Sequence, residues 1–236
     1  MPLPASINTE HLTRTELWEQ TLLILRNAIL TGEIPPGTRL VEAELAHSLG
    51  VSRLPVHQAI TRLEQEQLVV RHRNRGTYVS EFNAQEVRDI YAMRRLVECY
   101  AIREAARHYR PEDEPGLLQI LEHLRHAVER DNAVGAVEVD LAFHRHLCLI
   151  AGSRRLLNMW ETLVAPFHAL IIIFNTRQPP DALRQVPAAH MRFVEALRKG
   201  DGDEGEREML RQLERSECSV LAWCAELESE RINRVD

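Results

Sequence analysis

The sequence predicts a mostly α-helical protein with an N-terminal winged helix-turn-helix and an all-α C-terminal bundle of six or seven helices. Two observations predict this fold. Three short helical patterns and a basic β-hairpin fill the first third of the chain, and no alternating strand pattern occurs after residue 80. We expect a first domain over residues 12–80, with its helix-turn-helix at about 42–61, a linker over 81–85 and a helical domain over 86–230.

The first helix is expected to run from about Glu16 to Thr31 and to end at Gly32. Its inner side is expected to consist of residues about one turn apart: Leu17, Thr21, Ile24, Ala28 and Leu30. The segment 34–38 that follows contains two prolines, so it is a rigid turn.

The second and third helices form the predicted helix-turn-helix. The second runs from about Glu42 to Leu49 and ends at Gly50, and Ser52 is a good N-cap for a third helix that reaches about Gln67. Apolar residues four and three positions apart give the third helix its inward face: Val56, Ile60 and Leu63.

A β-hairpin with a basic turn follows these helices. Its strands are expected at 68–71 and 77–80, and the turn between them contains Arg73, Arg75 and Gly76. This order of three helices and a hairpin is typical of a winged helix.

Beyond the hairpin the pattern is helical to the end of the chain. Asn83 and Glu86 have the spacing of a capping box, which predicts the start of a helix. The later helices are separated by breaks rich in glycine, proline or short polar residues, at 110–116, 131–135, 152–153, 178–181 and 200–202.

The overall composition is that of an ordinary globular protein, 44% hydrophobic and 27% charged. No apolar run approaches the roughly 18 residues of a membrane span, and the N-terminus lacks the features of a secretory signal. The four cysteines form no C-x-x-C pair, which favours reduced thiols. We therefore expect a cytoplasmic protein with no membrane partner.

The net charge of −6 is unevenly distributed along the chain. Residues 1–80 contain eight arginines and eight glutamates, so the whole excess of negative charge lies in the remainder. Between Arg53 and Arg75 five arginines face only two glutamates. Basic charge is concentrated where a surface for double-stranded DNA would need it.

The third helix and the hairpin carry the candidate DNA contacts. Residues opposite the inward face of the helix include His57 and Thr61, while Ser52 and Arg53 stand at its start, where free N–H groups favour a phosphate. Arg53 could reach the O6 and N7 atoms of guanine. The wing adds three candidates: Arg73, Arg75 and Gly76. The alternative is that these are solvated surface residues. That explanation would suffice for a single arginine, but it explains the whole arrangement less well.

Polar groups in the predicted bundle suggest a second site. Asp140 and His144 are four residues apart on a helix that is apolar nearly all round, and His190 lies on another helix among apolar residues. A carboxylate with two imidazoles suits a divalent metal. A buried Asp–His hydrogen bond beside an unrelated core histidine explains the same pattern.

Arg94 is a further candidate, because its helix stripe is otherwise apolar. An arginine in such surroundings needs an anion, and a ligand carboxylate would satisfy it in a bidentate manner. A structural ion pair with a glutamate on a neighbouring helix is the alternative. If Arg94 binds the ligand, Arg94→Ala should raise the dissociation constant by roughly one or two orders of magnitude.

The first domain resembles the GntR family of bacterial regulators, in its FadR-type branch. The matching residues are Ile29–Leu40 (ILTGEIPPGTRL), Glu44–Ala46, Leu49–Val56 (LGVSRLPV), Ala59, Arg62–Glu64 and Arg75–Val79. The resemblance implies a winged helix that binds DNA. This chain has Ala43 and His57 where the family usually has arginines that contact DNA, which implies an altered operator preference.

The second part resembles the FCD domain, the ligand-binding domain of the same branch. The matching residues are Arg94 with Glu98, Asp140-x-x-Phe143-His144, Ala151–Ser153, and His190 with Asp201. The resemblance implies a cavity for a carboxylic-acid metabolite and a zinc-like metal held by one Asp and three His. Asp140, His144 and His190 match three of these ligands, and Gln212 stands at the fourth. An amide oxygen is a poor zinc ligand, so a metal would be held weakly, with water in that position, or not at all.

These patterns predict a transcription regulator, not an enzyme. We expect a homodimer that binds operator DNA, most simply as a repressor, and a small organic acid contacting Arg94, Asp140, His144, His190 and Gln212. A metal-responsive regulator is the alternative, and a metal-dependent hydrolase is a remote one, because no general base or nucleophile occurs at recognisable spacing.

Overall fold

The computed structural model describes residues 17–179 and 182–233. The chain separates into two compact units, residues 1–81 and residues 82–236. The predicted fold class is confirmed, since the described part of the first unit has three helices and a small sheet, and that of the second is helical.

The first helix, α1 (Leu17–Leu30), packs against the third helix of the unit. Its buried residues are Thr21, Leu22, Leu25, Ala28, Ile29 and Leu30. The predicted inner side was therefore right for three of its five members but wrong for Leu17 and Ile24, which are half-buried. The buried stripe instead runs through Leu22, Leu25 and Ile29.

The helix-turn-helix consists of α2 (Glu42–Leu49) and α3 (Arg53–Gln65). Gly50 ends α2 with a φ of 65°, a left-handed conformation that glycine adopts without steric cost. Ser52 is the N-cap residue of α3, although its side chain makes no capping hydrogen bond. The helix ends two residues before the predicted Gln67, whose own φ is 56°.

The wing is a three-stranded antiparallel sheet in the order β1–β3–β2, formed by β1 (Arg39–Leu40), β2 (Val69–His72) and β3 (Gly76–Val79). The hairpin of β2 and β3 agrees with the prediction to within one residue at each end. Strand β1 was not predicted, because two residues are too few to show an alternating pattern.

The second unit contains six α-helices among its described residues, which agrees with the predicted six or seven. They are α4 (Ala84–His108), α5 (Glu114–Glu129), α6 (Ala133–Ile150), α7 (Arg154–Asn175), α8 (Val186–Lys199) and α9 (Gly202–Asn233). A 3₁₀ turn, Pro111–Asp113, precedes α5.

The capping box at Asn83 is present: its side chain accepts from the backbone N–H of Glu86, whose carboxylate accepts from the N–H of Asn83. Helix α4 therefore begins at Ala84, inside the stretch 81–85 that we expected to be a linker. This helix packs against α6, α7, α8 and α9 and is the centre of the bundle.

Helix α7 bends by 50° between Val164 and Phe167, where Pro166 cannot supply a backbone N–H. Within the described residues no single helix has the length and apolar character of a membrane span. The two arms of α7 meet that criterion only when they are taken together.

Candidate functional site

The predicted DNA-contacting residues of α3 lie on its exposed face. Ser52, Arg53 and His57 are exposed, and Thr61 is half-buried with its hydroxyl donating to the carbonyl of His57 at 2.9 Å. The opposite face, which includes Val56, is completely buried, so packing fixes which side chains point outward.

A glutamate that sequence reasoning missed contacts this surface. Oε1 of Glu42, at the start of α2, lies 2.8 Å from Nδ1 of His57. Because Nδ1 is occupied by the carboxylate, Nε2 is the nitrogen of His57 that remains for DNA. The two residues are fifteen apart in sequence, so no helical or strand spacing links them.

Only part of the basic charge in this unit is available to a nucleic acid. Arg62 lies 3.0 Å from Glu66, and Arg71 lies 3.4 Å from Glu64, so both guanidinium groups already face carboxylates. No ion pair occurs at Arg53, Arg73 or Arg75 among the described residues, and all three are exposed. The candidate basic surface is therefore the start of α3 and the turn of the wing.

The backbone of the wing turn has a conformation that only certain residues adopt without strain. Gly76 has a φ of 107°, and a Cβ atom there would lie 3.1 Å from Nε of Arg39. The hydroxyl of Tyr78 donates to the carbonyl of Arg75 at 3.0 Å, which ties the turn to β3. These contacts fix the backbone from which the two arginines of the turn extend.

In the second unit the structure brings Asp140, His144 and His190 together. Asp140 Oδ1 lies 2.9 Å from Nε2 of His190, and Asp140 Oδ2 lies 3.9 Å from Nε2 of His144. Both imidazole rings are fully buried, and one ligand atom from each residue fits within 4.8 Å of the others. Asp140 and His144 come from α6, and His190 comes from α8.

Neighbouring groups orient the two imidazoles. Nδ1 of His190 donates to the carbonyl of Val186 at 2.9 Å, which leaves the lone pair of Nε2 directed at Asp140. Nδ1 of His144 lies 2.6 Å from Oε2 of Glu98, so its Nε2 is the nitrogen on the Asp140 side. A carbonyl and a carboxylate in these positions are the outer partners that metal-binding histidines usually have.

A divalent cation fits this cluster by the chemistry of its donors. Among the described residues, Nε2 of both His144 and His190 is buried without a hydrogen bond of acceptable geometry, although each lies near an oxygen of Asp140. The same holds for Nδ1 of His144, although it lies close to Glu98. A buried lone pair facing a carboxylate is unfavourable unless a proton or a cation lies between them. Two imidazole nitrogens and a carboxylate are a common donor set for transition metals.

Arg94 is buried beside this cluster and forms an ion pair with a glutamate. Its Nε donates to Oε1 of Glu98 at 2.5 Å and its Nη2 to Oε2 at 3.2 Å, while the guanidinium carbon lies 3.7 Å from the centre of the Phe167 ring. The structural ion pair that we considered is thus present, although Glu98 lies one turn along the same helix and not on a neighbouring one.

The charges of this region are strongly coupled. Burial raises the pKa of Glu98, but Arg94 and then His144 outweigh it and bring the pKa to about 2. Burial likewise raises the pKa of Asp140, and the nearby His190, with smaller effects of His144 and Arg94, lowers it to about 2. Both carboxyl groups are therefore ionised at neutral pH.

A cavity of about 550 Å³ opens beside the cluster. Arg94, Asp140 and Gln212 of α9 are among its polar lining residues, and its apolar wall comes from α5, α6 and α7. A volume of this size accommodates a small metabolite. Oε1 of Gln212 is buried and has no hydrogen-bond partner in the part of the chain that the structure describes, so the cavity contains an acceptor that these protein groups leave unsatisfied.

Two family descriptions match the chain. The description "Bacterial regulatory proteins, gntR family" matches residues 17–79, and the FCD domain matches residues 89–215. The HTH-type transcriptional repressor RspR of Escherichia coli strain K12 is 32% identical over 203 residues, which are 86% of this chain and 88% of that protein.

Solved structures show the same fold. A GntR-type transcriptional regulator from Rhodococcus sp. RHA1 has 25% identity and a TM-score of 0.60, over 88% of this chain and 99% of that one. McbR/YncC of E. coli has 22% identity and a TM-score of 0.63, over 89% of this chain and 99% of that one.

A winged helix-turn-helix on the same chain as a helical domain with an internal cavity defines a DNA-binding transcription regulator. The chain belongs to the GntR family, and its second part is an FCD domain. Its relatives are transcription regulators and not enzymes, which confirms that part of the prediction.

Proposed function

We propose that this GntR-family regulator is a repressor whose affinity for its operator is controlled by a small carboxylic acid bound in the FCD cavity. One observation carries the proposal: the cavity of about 550 Å³ is lined by Arg94 and by Asp140, whose carboxylate lies beside two buried histidines. An apolar chamber with a few convergent polar groups is the usual form of a metabolite site. The repressor RspR, the relative described above, supports the direction of control.

On the DNA side we propose that Ser52, Arg53, His57 and Thr61 of the third helix enter the major groove. Arg73, Arg75 and Gly76 of the wing are proposed to approach the backbone or the minor groove. The three arginines are exposed and have no ion pair with any described residue, which supports this assignment. Arg53 is the candidate for reading bases, and the others position the winged helix on the DNA.

We further propose that Asp140, His144 and His190 hold a divalent metal such as Zn²⁺, which would supply positive charge at the end of the cavity. Gln212 lines the same cavity where the resemblance implies a fourth histidine. His190 is held by the carbonyl of Val186, and His144 by Glu98, so both rings are oriented in advance. The acid is proposed to contact this end of the cavity, with Arg94 and Gln212 at its border.

The regulator is proposed to act as a homodimer that reads a two-fold symmetric operator in the cytoplasm. Three large side chains on one stripe of α4 are exposed: Met93, Leu96 and Tyr100. Arg103, Glu104 and Arg107 continue this face, and they are paired within the chain, Arg107 with Glu104 and Arg103 with Glu206. We assign this α4 face to a second copy of the chain.

Control by the acid requires that it bind the two DNA-affinity states of the dimer unequally. An acid that prefers the state with low operator affinity relieves repression, and a tenfold preference corresponds to about 1.4 kcal/mol. The helices that line the cavity, α4 to α9, also form the bundle core, so a ligand between them can shift their packing.

A metal-responsive regulator is the second candidate, because the Asp140 cluster fits a cation without any acid. In that case the ion alone would change operator affinity. Gln212 argues against tight metal sensing, since an amide oxygen binds zinc-type ions weakly.

The decisive experiment measures operator binding by the full chain. The operator is selected from random duplexes, and its affinity is measured by fluorescence anisotropy with chelator, with Zn²⁺, and with Zn²⁺ plus each member of a panel of organic acids. We expect one acid to lower operator affinity at least about tenfold. A change caused by Zn²⁺ alone would favour the metal-responsive regulator, and no response to any acid would contradict the metabolite proposal.

A further inference from the structure

The outward face of α3 has an apolar side chain that contributes little to the core. Leu54 is 65% exposed, more than any other large apolar side chain in the described part of the first unit. It is the second residue of the helix, after the exposed Arg53 and before the buried Pro55 and Val56. Because Pro55 and Val56 face the core, the helix turns Leu54 outward. Packing within the unit therefore fixes the direction of Leu54 without burying it.

A glutamine lies one helical turn further along the same face. Gln58 is exposed, and within the part of the chain that the structure describes no hydrogen bond or ion pair engages its amide. Its neighbours on this face are engaged, since His57 lies 2.8 Å from Glu42 and the hydroxyl of Thr61 donates to a backbone carbonyl. The amide of Gln58 thus keeps a donor and an acceptor available for a partner.

These two side chains match the chemistry of one kind of base pair. In the major groove a thymine presents its C5-methyl group, and contact with a leucine removes apolar surface of both from water. An adenine presents the N7 acceptor and the N6 amino donor, which the amide of a glutamine bonds in a bidentate manner. Guanine presents two acceptors and cytosine one donor, so a G·C pair offers no methyl group and no such pattern.

We propose that Leu54 and Gln58 read A·T base pairs of the operator. Leu54 contacts a thymine methyl group, and Gln58 donates to N7 and accepts from N6 of an adenine. The inference rests on the proposed entry of α3 into the major groove, where the first residues of a recognition helix contact base edges. A single exposed leucine is common on protein surfaces, but this one is adjacent to the exposed Arg53, whose charge complements DNA.

The spacing of the two side chains agrees with the spacing of base pairs. Residues four apart on a helix have Cβ atoms about 5–6 Å apart. Successive base pairs are separated by roughly 3.4 Å along the duplex. Leu54 and Gln58 therefore reach the same base pair or close neighbours, so the thymine and the adenine that they read lie within about two base pairs of each other.

Removal of one methyl group from the DNA tests the first contact. Deoxyuridine replaces each thymine of the selected operator in turn, and fluorescence anisotropy measures the affinity of the full-length protein. We expect at least one replacement to weaken wild-type binding about threefold or more, and to weaken binding by Leu54→Ala less than about 1.5-fold. Comparison of two proteins on the same pair of duplexes cancels any effect of the methyl group on DNA shape.

An adenine analogue without the N7 acceptor, 7-deazaadenine, tests the second contact. At an adenine close to the sensitive thymine it should weaken wild-type binding about fivefold or more, and binding by Gln58→Ala less than about twofold. Leu23→Ala is the matched control for L54A, because Leu23 is 54% exposed on α1; it should retain both wild-type effects. Leu54→Met keeps an apolar side chain and should retain the methyl effect.

Each outcome distinguishes the inference from the proposed function. Wild-type protein that selects no duplex would contradict the DNA-binding surface itself, and the inference would fall with it. A selected operator in which no thymine responds to the loss of its methyl group, or a response of equal size in the wild type and L54A, would overturn the inference while operator binding stands. Equal responses of the wild type and Q58A to 7-deazaadenine would overturn it as well. All proteins are compared at one salt concentration, low enough for every variant to bind.

Discussion

The carboxylate of Glu42 lies 2.8 Å from the imidazole of His57, and so connects the start of α2 to the exposed face of α3. The resemblance to the GntR family implies an arginine at position 57, and this chain has a shorter and less basic group there. With Nδ1 held by Glu42, only Nε2 can donate to DNA. We therefore expect operator recognition by this protein to rest more heavily on Arg53 than the resemblance implies.

The first prediction concerns that arginine. Arg53→Ala should abolish specific operator binding and leave the fold intact, because Arg53 is exposed, forms no ion pair among the described residues and stands at the start of α3. A lost bidentate base contact removes about 1–3 kcal/mol of discrimination. Gel shifts with operator and scrambled duplexes measure the loss. Arg71→Ala is the control, because the guanidinium of Arg71 faces Glu64. Unchanged operator affinity in R53A would contradict the assignment of Arg53 to operator recognition.

The second prediction concerns His57. His57→Arg should add a phosphate contact and make operator binding more salt-dependent, by about 0.9 in the slope of log affinity against log salt. The same substitution combined with Glu42→Gln tests whether the carboxylate restrains residue 57. Anisotropy titrations at several salt concentrations give the slopes. An unchanged slope in both variants would show that residue 57 does not reach the DNA backbone.

The sequence predicted the end of α2 and the start of α4 closely, because each of these boundaries has a local cause. Gly50 ends α2 and Asn83 caps α4, and both signals are contained within a few residues. The α1 stripe was predicted less well, since which side of a helix is buried depends on the partner that it packs against. Strand β1 depends wholly on pairing with β3 and has no pattern of its own.

The residue types of the candidate ligand site were predicted from the sequence, but the pairing of its charged groups was not. The spacing of Asp140 and His144 indicated a shared helix face, and the structure places His190 of α8, the third predicted member, beside them. The partner of Arg94 was sought on another helix, although Glu98 is one turn away and the spacing was visible in the sequence. The contact between Glu98 and His144 joins α4 to α6, and no spacing in a single chain predicts it.

The third prediction concerns the metal. His190→Ala should reduce bound Zn²⁺ at least about tenfold, because it removes one of three ligands that the cluster offers. Elemental analysis after dialysis against a defined Zn²⁺ buffer measures this loss. His146→Ala is the matched control, since His146 lies on α6 beside Gly116 and outside the cluster. Equal zinc content in the two variants would contradict the site.

The fourth prediction concerns the α4 face. Leu96→Glu should convert the dimer to a monomer and weaken operator binding, because Leu96 is 69% exposed in the single chain and a carboxylate there would be buried against the second copy. Light scattering after size exclusion gives the mass. Leu149→Glu, at an apolar position that is 44% exposed on α6, is the control. A dimeric L96E protein would place the interface elsewhere.

The last prediction concerns stability against acid. Glu208 is buried, which raises its pKa, but Arg192 and then Arg211 outweigh this and hold the pKa below its usual value. A carboxyl group whose pKa is lower in the folded protein than in the unfolded chain, where it is about 4.3, stabilises the fold above that pH and ceases to do so as the pH falls. Glu208→Gln should therefore lower the urea midpoint at pH 7 and differ progressively less from the wild type below about pH 4. Glu138 is exposed, and the Glu138→Gln control should have the wild-type urea midpoint at every pH. A difference between E208Q and the wild type that stays constant across pH would show that the ion pairs of Glu208 do not cause it.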